Sequence, residues 1–106
     1  MQVVNENENG KVVILKVEET LEINLTENAS TGYTWVEEFI HNNQILSLDK
    51  EEFVQNSNTH GGNTIHRWRF KGEKTGQKKI RFIYQRPWVK DQHGDKEFEI
   101  TVHVSD

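Results

Sequence analysis

The stretch FEITVHV, Phe98 to Val104, alternates without a break: Phe98, Ile100, Val102 and Val104 are apolar, and Glu99, Thr101 and His103 between them are polar. Successive side chains of a β-strand point to opposite faces, so this pattern describes a strand with one buried and one wet face. A helix would need its apolar residues three and four apart. The same period recurs upstream. Leu21, Ile23 and Leu25 alternate with Glu22 and Asn24; His66, Trp68 and Phe70 share a face, with Arg67 and Arg69 on the other; Ile80, Phe82 and Tyr84 alternate with Arg81. Bounded by Gly, Asn and Asp clusters, these runs predict strands near residues 11–17, 20–26, 33–38, 45–54, 64–71, 77–85 and 96–104. A short strand at Val3 and Val4 is also expected, followed by a tight turn at Asn9-Gly10. Phe39 to Leu48 is the ambiguous piece and could hold a short helical turn.

Seven to eight short, mostly antiparallel strands in 106 residues predict an all-β protein, an immunoglobulin-like β-sandwich forming a single domain over residues 1–106. The chain has no cysteine, so no disulfide staples the two sheets and core packing must hold them together. Cysteine-based metal or nucleophile chemistry is excluded for the same reason. A net charge of −4 and a pI near 5.7 argue against nucleic acid as a partner. The longest apolar run, Val12 to Leu15, is far too short to span a membrane, and no membrane partner is expected. No basic segment followed by an apolar one is visible at the N-terminus, which points to a cytoplasmic, vesicular or lysosomal setting.

Three stretches interrupt the strand rhythm: Asn28–Gly32, Gln55–Asn63 and Arg86–Asp95. Alternate connections of a sandwich emerge at the same end, and the strand order predicted here sends all three to one end, as in the binding face of antibody variable domains. Local chemistry alone favours a plain turn for Asn28–Tyr33, with Asn28 and Ser30 as side-chain caps and Gly32 at positive φ. The alternative is a low-profile tip, Thr31 and Gly32, that lets backbone approach another surface. Trp88 follows Pro87 and is either folded onto the core or displayed; the polar neighbours Lys90, Asp91, Gln92 and Asp95 favour display. His60-Gly61-Gly62 makes a flexible, low-profile loop.

No constellation for catalysis stands out. The five histidines, His41, His60, His66, His93 and His103, have no metal-site spacing and read as scattered surface or half-buried imidazoles. No serine sits in a GxSxG elbow. The protein is therefore not expected to be an enzyme, and no cofactor or metal is expected. The two sequons, at Asn24 and Asn28, are taken as chance matches.

Taken together, the three loops resemble those of the chagasin-type inhibitors of cysteine peptidases. That family carries NPTTGY, GxGG and RPW or close variants, in this order, on an immunoglobulin-like sandwich. Here the motifs stand as Asn28-Ala29-Ser30-Thr31-Gly32-Tyr33, Thr59-His60-Gly61-Gly62 and Arg86-Pro87-Trp88. Ala29 replaces a proline, Ser30 a threonine and Thr59 a glycine. The resemblance implies a reversible, tight-binding inhibitor of papain-like, cathepsin L- or B-like cysteine peptidases; a monomer is expected. It implies that the first loop enters the catalytic cleft, with Thr31 and Gly32 closest to the catalytic residues. His60, Gly61 and Gly62 would seat on one side, and Arg86 and Trp88 on the other. The alternative is an immunoglobulin-like recognition or adhesion module that displays aromatic residues to a peptide or carbohydrate.

Overall fold

The computed structural model describes residues 1–28, 32–38, 45–55, 63–86 and 96–106. Among the described residues eight strands are formed: β1 (Gln2–Asn5), β2 (Val12–Lys16), β3 (Thr20–Asn28), β4 (Thr34–Glu37), β5 (Leu46–Gln55), β6 (Asn63–Gly72), β7 (Gly76–Gln85) and β8 (Lys96–Ser105). They pair into two four-stranded sheets, ordered β1-β3-β6-β5 and β2-β8-β7-β4. Of the ambiguous stretch, residues 39–44 lie outside the described residues, and Leu46–Leu48 belong to β5.

The faces follow the alternation. Leu21, Ile23 and Leu25 of β3, Trp68 and Phe70 of β6, Ile80 and Phe82 of β7, and Phe98, Ile100, Val102 and Val104 of β8 are all buried. Facing sheets bury these side chains against each other because each apolar face, left wet, would cost about 25 cal/mol per Å². Trp68 lies at the centre. Its ring centroid is 4.5 Å from Phe82 on the opposing sheet and 3.8 Å from His66 on its own strand, and Phe82 lies 6.0 Å from Phe98.

The edges depart from a purely antiparallel assembly. β1 pairs parallel with β3, Val4 opposite Ile23, and β2 pairs parallel with β8, Val13 opposite Val102. The remaining pairings are antiparallel. β1 and β2 lie in different sheets, so the connection between them is a crossover rather than a hairpin. It starts with a single 3-10 turn, Glu6–Glu8, whose N-terminal end is closed by a capping box between Asn5 and Glu8. Asn9-Gly10 then turns the chain and is pinned to β8: the Gly10 N–H donates to the Glu99 carbonyl at 2.7 Å, and the Glu99 N–H donates to Asn9 Oδ1 at 2.8 Å.

The outer face of β3 and β6 is less wet than alternation predicts. Glu22 is buried beneath two guanidinium groups, accepting from Arg69 at 3.0 Å and lying 3.6 Å from Arg67. Burial pushes its carboxyl up, but hydrogen bonds from Asn24 and Arg69 and the charges of Arg67 and Arg69 outweigh it and bring the carboxyl below its ordinary value. Asn24 is occupied in the same lattice, donating to Glu22 and accepting from Arg67 Nε.

Gly72 closes the opposite end of the molecule. Its N–H donates to the Glu19 carbonyl and its own carbonyl accepts from the Glu18 N–H, which docks the β2–β3 turn onto β6. A Cβ there would lie 2.9 Å from the Lys16 carbonyl oxygen and 3.2 Å from Val104. Backbone and core strand meet the added carbon, so Gly72→Ala should lower unfolding stability by about 1–3 kcal/mol. Urea denaturation followed by circular dichroism checks this; an unchanged midpoint would mean that the turn is free to retreat.

Candidate functional site

The described stems of the three candidate loops converge at one end. In the first sheet β3 ends at Asn28 opposite Asn63, where β6 begins, and β5 ends at Gln55 opposite Thr64. In the second sheet β4 begins at Thr34 opposite Gln85, where β7 ends, and β8 begins at Lys96 opposite Tyr84. The first stretch leaves one sheet and enters the other, so its stems share no strand ladder. The sheets are tied across this end by Tyr84. Its hydroxyl accepts the Asn28 N–H at 3.1 Å, and its ring lies 5.4 Å from Tyr33 and 4.9 Å from Trp35.

Of the residues predicted to form the site, the structure describes Asn28, Gly32, Tyr33 and Arg86. Asn28 is the last residue of β3 rather than the first of a turn. Gly32 has φ +80°, the left-handed conformation that a turn before Tyr33 was expected to need. Tyr33 stacks on Tyr84, and the Arg86 guanidinium lies over the Tyr33 ring, 4.8 Å from its centroid. Tyr33 and Arg86 thus join the stems of the first and third motifs. Ala29, Ser30, Thr31, Thr59, His60, Gly61, Gly62, Pro87 and Trp88 lie outside the described residues.

Directly beneath these stems is a polar group that the sequence reading missed. Glu27, the last inward position of β3, is 5% exposed. Its Oε2 accepts from the Thr34 hydroxyl at 2.9 Å and the Trp35 N–H at 3.0 Å, and it lies 3.2 Å from His66 Nδ1. The other ring nitrogen, Nε2, lies 2.7 Å from Glu51 Oε2 on β5. The imidazole is sandwiched between Phe53 and Trp68, at centroid distances of 4.1 and 3.8 Å. His66 is therefore a buried structural group, not one of a set of scattered surface or half-buried imidazoles. Its place on the apolar face with Trp68 and Phe70 was the available signal. The two carboxylates take opposite ring nitrogens, so the trio does not converge on a common point as metal ligands would.

Burial pushes the Glu27 carboxyl up, but hydrogen bonds from His66, the Trp35 N–H and Thr34, with the charge of His66, more than offset this and hold it below its ordinary value.

The description "chagasin family peptidase inhibitor I42" fits residues 14–102 of this chain as a family match. The chain belongs to the chagasin family. It is thus a cysteine-peptidase inhibitor by family and not an enzyme. Amoebiasin-1 of Entamoeba histolytica is 32% identical over 98% of this chain and 99% of its own length. The cysteine protease inhibitor EhICP2, also from Entamoeba histolytica, shares the fold with a TM-score of 0.88 at 24% identity, over 98% of this chain and 95% of its own. PbICP-C, solved in complex with falcipain-2, gives a TM-score of 0.71 at 25% identity, over 99% of this chain and all of its own. Trp35 and Trp68 belong to the buried sandwich.

Proposed function

We propose that this chagasin-family chain is a reversible, tight-binding inhibitor of papain-like, cathepsin-type cysteine peptidases that fills the catalytic cleft with loops from one end of its sandwich. The observation that carries the reading is the convergence of the three motif stems, with Tyr33, Tyr84 and Arg86 packed together between them. A relative that engages falcipain-2 supports the same class of partner. In this reading Asn28–Tyr33 is the central wedge. Small residues fit a narrow cleft, and Thr31 and Gly32 approach the enzyme's nucleophile without offering it a cleavable bond in productive geometry. Thr59, His60, Gly61 and Gly62 seat on one rim. Arg86, Pro87 and Trp88 grip the other, Trp88 giving a large apolar contact at low entropy cost. Loops held on a rigid sandwich lose little freedom on binding, and an interface of roughly 800 Å² per partner is expected.

An adhesion module displaying aromatic residues is less well supported. Trp35 is 4% exposed and Trp68 is fully buried, which removes two of the three tryptophans from such a platform. Trp88 supplies the test. Trp88→Ala should raise the inhibition constant against papain about 30-fold or more, with the thermal midpoint unchanged. A variant that inhibits as well as the parent contradicts the site assignment.

A further inference from the structure

Loop stems in a hairpin are held by the ladder between two neighbouring strands, but the first loop leaves one sheet at Asn28 and re-enters the other at Thr34. Hydrogen bonds between described residues cross that gap. Asn28 donates its N–H to Tyr84, and Trp35 donates its indole N–H to the Thr26 carbonyl at 3.0 Å. The stretch between contains no proline, and Gly32 widens its choice of backbone conformations. Glu27 adds a further crosslink. Its chain position is on the incoming stem, and one carboxylate oxygen takes both the hydroxyl of Thr34 and the N–H of Trp35 on the outgoing stem.

We infer that Glu27 is a positioning residue for the first loop: its carboxylate closes the loop's base across the two sheets and is itself held in place by His66 and, behind it, Glu51. This rests on the proposed reading of Asn28–Tyr33 as the inhibitory wedge. A carboxylate this far from water persists only when its lone pairs are occupied, and Glu27 has three donors from two strands. His66 reaches it from β6, and Glu51 faces the far side of the ring from β5, four positions before the strand gives way to the second loop. A neutral imidazole has one N–H, so both ring contacts are hydrogen bonds when the ring carries two protons or one carboxyl keeps its own. The base of the first loop and the strand entering the second are thereby joined through one imidazole. A wedge whose base is closed before binding loses less freedom when it enters a cleft.

The test compares the full chain with Glu27→Gln by amide hydrogen exchange and by inhibition of papain. Local closure predicts that the protection factor at Trp35 falls at least about tenfold more than those at Ile100 and Val102 in β8, and that the inhibition constant rises at least about tenfold. A purely structural role would lower protection at all three amides by the same factor. If Glu27→Gln does not fold, Thr34→Val removes one donor while leaving Glu27 and His66 in place, and should loosen Trp35 selectively by about threefold or more. Acid titration gives a second readout. Because the Glu27 carboxyl lies below its ordinary value in the fold, the clamp is intact above the ordinary carboxylate range and is lost as pH falls through the lowered value. Selective loosening at Trp35 should follow that titration in the parent and be absent from Glu27→Gln. Protection that is unchanged, or that falls uniformly, overturns the clamp. If the parent leaves papain untouched while Trp35 still loosens selectively, the clamp stands as a feature of the fold and the inhibitory reading fails.

Discussion

Trp68→Ala should cost about 3–5 kcal/mol of unfolding stability, a large part of the 5–15 kcal/mol typical of a whole domain. Trp68 is fully buried, and its ring touches Phe82 across the sandwich and His66 along β6. No disulfide bridges the sheets, so core packing, this aromatic stack included, holds them together. Among the described residues the indole Nε1 finds no hydrogen-bond partner, and packing is the contribution that the structure shows. At about 4–8 °C per kcal/mol for a domain of this size, the thermal midpoint should fall by roughly 12 °C or more. Trp68→Phe keeps the ring stack and should lose much less. Calorimetry on both variants decides; a midpoint within a few degrees of the parent in Trp68→Ala would mean that the core is not organised around this ring.

The second large effect is on inhibition rather than stability. Thr31→Trp should abolish inhibition of papain while leaving the thermal midpoint within about 2 °C, because the proposed wedge would carry the added bulk at its tip. Inhibition assays and calorimetry on one preparation separate the two outcomes. If stability collapses instead, the loop is mainly structural. Gly32→Val gives the contrast. Gly32 adopts φ +80°, which a β-branched residue resists, so this variant should lose both stability and inhibition.

Much of this architecture is legible one strand at a time. The alternation in Phe98–Val104 gives the buried face of β8 residue by residue, and the runs around Leu21, Trp68 and Ile80 do the same for β3, β6 and β7. A period of two is a local property, and local properties survive folding when one face is buried. The parallel pairing of β1 and β2 was not legible. It depends on which sheet each edge strand joins, and Val3-Val4 followed by Asn9-Gly10 looks locally like the start of a hairpin. The Glu27–His66–Glu51 chain was missed for a related reason. An acid at an inward position reads as the end of a strand, and its partner lies 39 residues away. At the candidate site, Gly32 was readable from turn chemistry, whereas the stacking of Arg86 on Tyr33 requires two loop stems to be brought together by the fold.

The central claim is inhibition of a papain-like peptidase by this chain, and titrating a fixed amount of papain with the purified protein, while following hydrolysis of a small peptide substrate, tests it most directly. Complete, reversible inhibition near one-to-one stoichiometry is the predicted result. Undiminished hydrolysis at micromolar protein, with the β-sandwich intact by circular dichroism, would contradict it.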